Sequence, residues 1–118
     1  GGAGRWRGAL GLRKDIELTA DGAMMTLLGE RHERTGYGLF DGEAGALAET
    51  VLDPEGKAEH LGSKDVRPLK QGDLVSFRLN GGGGYGDPKQ RDRKAIADDV
   101  ADGYVSEAKA RALYRWEP

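Results

Sequence analysis

Residues 81–88 read Gly-Gly-Gly-Gly-Tyr-Gly-Asp-Pro, and 19 of the chain's 20 glycines lie at or before Gly86. Five glycines in six positions cannot form the interior of a helix or strand, because each loses more backbone entropy than any other residue and returns no side-chain packing. The run is therefore a shaped loop. It divides a glycine-studded, β-patterned body, residues 1–86, from a helical tail, residues 87–118, within what its length marks as a single domain.

Composition narrows the classes of partner. Only 37% of residues are apolar and 32% are charged, with a mean hydropathy of −0.65, so the core is thin and much surface is left for solvent or a partner. Up to Gly86 there are 11 basic and 13 acidic residues, and after it 7 of each. Lys and Arg are interleaved with Asp and Glu throughout, which gives no basic face for phosphate neutralisation and argues against nucleic acid. The absence of cysteine excludes disulfides, thiolate metal sites and cysteine nucleophiles. No apolar stretch approaches the roughly 20 residues that span a bilayer, and no signal peptide is seen. The expectation is a soluble, cytoplasmic protein with no membrane partner. The chain begins Gly1-Gly2 without a methionine.

The pattern of the body is that of short strands. Ile16 and Leu18 alternate with charged residues over 12–18, Thr19-Ala-Asp-Gly22 supplies turn chemistry, and 23–31 is a second extended segment with Met25 and Leu27 on one face. The expectation is a hairpin of these two. From His32 to Gly45 a glycine-rich loop carries Tyr37, Leu39 and Phe40, read as anchors to the body of the domain. Residues 46–52 resume a strand, Asp53-Pro54-Glu55-Gly56 is a turn, 57–61 returns antiparallel, Lys70-Gln-Gly-Asp73 turns again, and 74–79 alternates into the glycine run. Five to seven short strands imply a mainly β fold, an antiparallel sandwich or open barrel. In the tail, Asp92 is an N-cap, Ile96 and Val100 lie one turn apart, and Gly103 sits at a C′ position. Ser106 caps a second helix, 107–114, with Ala108, Ala112 and Leu113 inward. The tail is thus a helical hairpin and the fold α+β overall.

Several motifs carry potential chemistry. Gly81-Gly-Gly83-Gly-Tyr85-Gly86 satisfies G-x-G-x-x-G after a strand, but Asp87-Pro88 adds a negative charge and delays the helix whose N-terminal amides would face a pyrophosphate. No Lys-Ser or Lys-Thr follows, so it is no Walker loop. The favoured reading is a crossover that lets backbone or a partner approach closely. Arg5-Trp6-Arg7 can grip a carboxylate or phosphate bidentately or stack on Trp6. His32, within Glu30-Arg31-His32-Glu33-Arg34, and His60 lack metal-ligand spacing, and the favoured reading there is a solvated, charge-balanced strand. Asp98, Asp99 and Asp102 are read as a solvated helix face. Contact candidates for a ligand or partner are Arg5, Arg7, Arg31, His32, Gly81, Gly83, Tyr85, Gly86 and Asp87. No catalytic constellation and no metal cluster emerges.

The ordered series Gly1-Gly-Ala-Gly-Arg-Trp-Arg-Gly8, Leu10-Gly-Leu-Arg13, Gly29-Glu-Arg31, Gly38-Leu39, Gly42-Glu43, Ser63-Lys64 and Lys70-Gln-Gly-Asp73 resembles the hydantoinase B family. So do the glycine run, Arg91-Asp92, Ala97-Asp-Asp-Val100, Gly103-Tyr-Val-Ser106 and 108–114. That family includes N-methylhydantoinases, 5-oxoprolinases and acetone and acetophenone carboxylases. The chain departs from it at Thr35-Gly-Tyr37 and at Tyr114-Arg-Trp-Glu-Pro118. Such B subunits are several times longer, and the resemblance is to their C-terminal portion. It implies a structural and subunit-contact domain, inactive alone, of an ATP-dependent cyclic amidohydrolase or ketone carboxylase. Its partners would be the remainder of a B-type subunit and an A-type, ATP-handling subunit. No cofactor is expected on this chain, and ATP and a divalent metal would belong to the full complex. The alternative is a freestanding anion- or small-ligand-binding β module that uses Arg5, Arg7, Arg31 and the glycine loop.

Overall fold

The computed structural model describes residues 1–118. It contains six strands, β1 (Arg13–Glu17), β2 (Ala23–Leu28), β3 (Glu49–Leu52), β4 (Glu59–Leu61), β5 (Lys64–Leu69) and β6 (Leu74–Arg78). A short 3-10 turn, Pro88–Gln90, precedes two helices, α1 (Arg93–Ala101) and α2 (Glu107–Tyr114). The fold is mainly β with two C-terminal helices, α+β overall. The chain separates into two compact units. One consists of Gly1–Leu10, Gly36–Ala46 and Gly81–Pro118, and the other of Gly11–Thr35 and Leu47–Asn80. The boundary placed after Gly86 therefore falls inside the first unit, where the glycine run stays with the helices.

In the strand unit every pairing is antiparallel, in a four-stranded sheet of order β1-β6-β3-β4 and a two-stranded ribbon β2-β5. The hairpin expected of β1 and β2 does not form. Arg13 to Glu17 pair with Arg78 to Leu74, and Ala23 to Leu28 pair with Leu69 to Lys64, so the two strands lie in different sheets. Between those ladders five residues, 18–22, face four, 70–73, and the extra residue turns the strand out of one sheet and into the other. Two bonds bracket this corner, from Leu18 N–H to the Asp73 carbonyl (2.9 Å) and from Gly72 N–H to the Leu18 carbonyl (2.8 Å). Asp21 Oδ1 accepts from Gln71 N–H at 2.9 Å, fastening the two turns together. β5 was hidden in the sequence by Pro68, which cannot donate to a ladder, but a two-stranded ribbon offers the edge position that proline tolerates. The β3–β4 hairpin and its turn at Asp53 follow expectation. Burial falls on Leu27, Ala48, Val51, Leu61, Leu69 and Val75, while β1, including Ile16, is exposed along its length. Residues 30–34 form a bend instead of a strand.

Asp73 closes the β5–β6 turn. Its Oδ2 accepts from Lys70 N–H at 2.9 Å and its other oxygen pairs with the Lys70 ammonium. The ammonium, then the backbone amide, hold the Asp73 carboxyl below its ordinary value of 3.8. A depressed carboxyl contributes stability that is present above its unfolded pKa and is lost as pH falls through the folded value. Asp15, held down by Arg13, and Asp65, held down by Arg67, act in the same direction. Urea unfolding at pH 7 and pH 3 is expected to show a lower midpoint at pH 3, and Asp73→Asn to shrink that difference.

In the first unit the core joins Ala3, Ile96, Val105, Ala110, Tyr114 and Trp116. The inward face of α2 carries Ala110 and Tyr114, four residues apart, with Leu113 half-buried; Ala108 and Ala112 point to solvent, contrary to expectation. Both helix starts are capped as the sequence indicates, by Asp92 Oδ1 accepting from Ala95 N–H (2.9 Å) and Ser106 Oγ from Lys109 N–H (3.3 Å). Gly103 takes φ +75° after α1. At the end of α2, Arg115 adopts the left-handed conformation at φ 51°, and Trp116 N–H returns to the Ala110 carbonyl (3.2 Å). Asp92→Ala should cost about 1 kcal/mol in thermal unfolding.

Candidate functional site

Three stretches, 1–10, 36–46 and 81–86, lie side by side in the first unit and bond to one another through their backbones without forming a regular sheet. Gly2 N–H donates to the Gly82 carbonyl (2.8 Å) and Gly82 N–H to the Ala9 carbonyl (2.9 Å). Glu43 N–H donates to the Ala3 carbonyl (2.7 Å), Gly84 N–H to the Glu43 carbonyl (2.8 Å) and Leu39 N–H to the Gly84 carbonyl (3.0 Å). The stretches are too close for side chains. A Cβ on Gly8 would strike the Gly82 carbonyl, one on Gly42 the Gly84 carbonyl, one on Gly83 the Tyr37 carbonyl and one on Gly84 the Ala3 carbonyl, all inside the 3.0 Å that Cβ atoms respect. Glycines spaced by three, Gly42 with Gly45 and Gly81 with Gly84, meet neighbouring backbone in this way. The same rule places a glycine at every third position of a crowded extended bundle. The run 81–84 is thus a packed centre, with Gly81 and Gly84 buried.

Beside the bundle sits a charge cluster that the sequence did not disclose. Asp99 is 7% exposed and is held by two guanidinium groups. Arg7 grips it bidentately, Nε to Oδ2 at 3.0 Å and one terminal nitrogen to Oδ1 at 3.1 Å, while Arg91 donates to Oδ2 at 2.8 Å. Arg7 also donates to the Gly8 carbonyl, and Arg91 to the Arg5 carbonyl. The Arg7 guanidinium lies 5.7 Å from the centre of the Tyr104 ring. The cluster ties the first stretch to the 3-10 turn and to α1. Asp98, next in sequence, is exposed and pairs with Lys94 at 2.7 Å. Reading 98, 99 and 102 as one solvated face therefore fails at Asp99. Burial also pushes the Tyr114 hydroxyl above its ordinary value, beside the backbone of Gly4.

The remaining candidates divide between the units. Arg5 is exposed, its guanidinium 5.9 Å over Trp6. Tyr85 is exposed too. Gly86 takes φ +75°, and Asp87 Oδ1 accepts from Lys89 N–H at 2.9 Å to start the 3-10 turn. Tyr37, Leu39 and Phe40, expected to anchor their loop, all point outward, because backbone contacts already hold that stretch. In the strand unit, Arg31 has φ 65° and donates to the Thr35 carbonyl (3.2 Å). His32 Nδ1 meets the Glu30 carbonyl (3.1 Å) and Nε2 the Thr50 hydroxyl (3.3 Å). A Cβ on Gly29 would lie 2.5 Å from His32 Cε1, so the glycine makes room for the imidazole. No group of three or more acidic, histidine or cysteine side chains is arranged to hold a metal ion, and no helix is long and apolar enough to cross a membrane. A cleft of about 320 Å³ in the first unit is lined by Arg7, Glu43, Tyr104 and Lys109 among others.

Comparison with known proteins places these features in context. The family model described as hydantoinase B/oxoprolinase matches residues 1–88. An uncharacterized protein of Methanocaldococcus jannaschii is 36% identical over 98% of this chain and 20% of its own length. Caprolactamase subunit beta of Pseudomonas jessenii is 31% identical over 97% of this chain and 20% of its own length. The crystal structure of ATP-dependent caprolactamase from Pseudomonas jessenii superposes with a TM-score of 0.75 at 26% identity, over 95% of this chain and 20% of that one. The chain spans about a fifth of the length of these two relatives.

Proposed function

The chain belongs to the hydantoinase B/oxoprolinase family, and on that premise we propose that it is the structural, subunit-contact portion of a hydantoinase B-like subunit. That subunit works in an ATP-dependent cyclic amidohydrolase, or a related ketone carboxylase, with the chemistry supplied by the assembled complex. The observation that carries this reading is the β2–β5 ribbon. On its open face Met24, Leu28 and Val66 are exposed, Leu28 to 79%, with Met24 directly opposite Pro68. A two-stranded ribbon is marginally stable in water, and apolar residues gathered on one face mark a surface meant to be covered. The internal use of Arg7 agrees with a scaffold, since its donors are spent on Asp99 and Gly8 instead of an incoming anion.

The partners in this reading are the remainder of a B-type polypeptide and an A-type subunit that handles ATP, with any divalent metal held by the full complex. Co-expression of the chain with a B-type polypeptide lacking the matching fifth, together with its A-type subunit, tests it. Co-purification and restored lactam- or hydantoin-dependent ATP hydrolysis are expected. Failure to assemble, or turnover by the 118-residue chain alone, would overturn the reading.

A further inference from the structure

The first unit presents a second apolar surface of a different kind. Trp6 is 63% exposed and Phe40 71%, and Leu39 and Tyr85 are exposed beside them. Backbone bonds bring the four together. Trp6 and Tyr85 exchange N–H to carbonyl bonds, both 2.9 Å, while Leu39 receives the Gly86 N–H (2.9 Å) and donates to the Gly84 carbonyl. The Phe40 and Tyr85 rings stand 5.0 Å apart at 59°. Each of the three glycine stretches thus contributes to one patch, on backbone that the glycine contacts lock in place.

Phe40 and Asp41 both have positive φ, 50° and 70°. A bulky residue in that region costs on the order of 1 kcal/mol or more, and strain of this kind persists where surrounding structure enforces it for a purpose. Here it holds an aromatic ring out in water, against no ring but that of Tyr85, itself exposed. Rigid Trp, Tyr and Phe rings, with Arg5 over Trp6, have the composition of an interface centre, where little ordering entropy is lost on binding. Roughly four-fifths of the Methanocaldococcus jannaschii protein and of caprolactamase subunit beta lies outside the segment that corresponds to this chain, which is the chain length available to cover it.

We infer that the patch of Trp6, Leu39, Phe40 and Tyr85 is the seat for the part of the B-type polypeptide that lies outside these 118 residues. This rests on the subunit-contact reading above. The chain has no cysteine, so Phe40→Cys and, separately, Tyr85→Cys each introduce a single thiol. Labelling rates are compared between the free chain and the chain co-expressed with caprolactamase subunit beta lacking its matching fifth. Protection of at least tenfold at both positions is the expected result, with Phe40→Ala reducing the amount co-purified. A complex that forms yet labels as fast as the free chain would sink the patch and leave the subunit-contact reading intact. Absence of any complex would sink both. Protection in the free chain that grows with its concentration would assign the patch to a second copy and overturn the inference.

Discussion

Gly84→Ala is expected to unfold the glycine-built unit, at a cost on the order of 3 kcal/mol or more. The added methyl would meet the Ala3 carbonyl, which is backbone and cannot rotate away. That carbonyl already accepts from Glu43 N–H, and Gly84 itself bonds to both Glu43 and Leu39, so relief by movement would break pairings on two sides. Gly62→Ala is the matched control. Its Cβ would find open space and its φ is not in the left-handed region, so the change should fall within about 0.5 kcal/mol of neutral. Thermal unfolding of both variants tests the idea. Equal stabilities would mean that the three stretches are not packed backbone to backbone.

Asp99→Ala should be nearly as damaging. It removes the single carboxylate that serves both Arg7 and Arg91, whose side chains are largely buried, and Arg91 Nε already lacks a partner. Removing one member of a buried ionic cluster typically costs about 3–5 kcal/mol, because the remaining charges stay out of water uncompensated. Asp98→Ala, one residue away, breaks an exposed pair with Lys94 and should cost less than about 1 kcal/mol. A wide gap in melting temperature between these neighbouring variants is the expected outcome. Comparable values would show that Asp99 is solvated in solution.

What the sequence disclosed follows from how local each determinant is. Asp92, Gly103 and Ser106 act within one helical turn, and the helix limits they imply match the observed ones. The Asp53 turn likewise fixes the β3–β4 hairpin from adjacent residues. The mispaired β1–β2 hairpin has a different origin. Both segments are flanked by good turn residues, but their partners are β6 and β5, distant in sequence, and the alternation of a strand does not encode which neighbour it takes. Glycine density correctly excluded helix and strand at 81–86. Close backbone approach at the run was also legible, but which backbone approaches was not, because the carbonyls come from residues 3, 37 and 43. Asp99 was hidden for the same reason, with Arg7 lying 92 positions earlier.

The long-range wiring of the glycine bundle also sets an order of events. A nascent chain that has emerged through Asn80 holds every strand, β1 to β6, and can complete its sheets. Gly8, Gly42 and Gly45 must meanwhile wait, since the carbonyls they abut belong to residues 81–84. Closing loops of that span is slow, and synthesis itself enforces the delay. Part of the native packing of residues 1–10 and 36–46 is therefore completed only once 81–84 has been made.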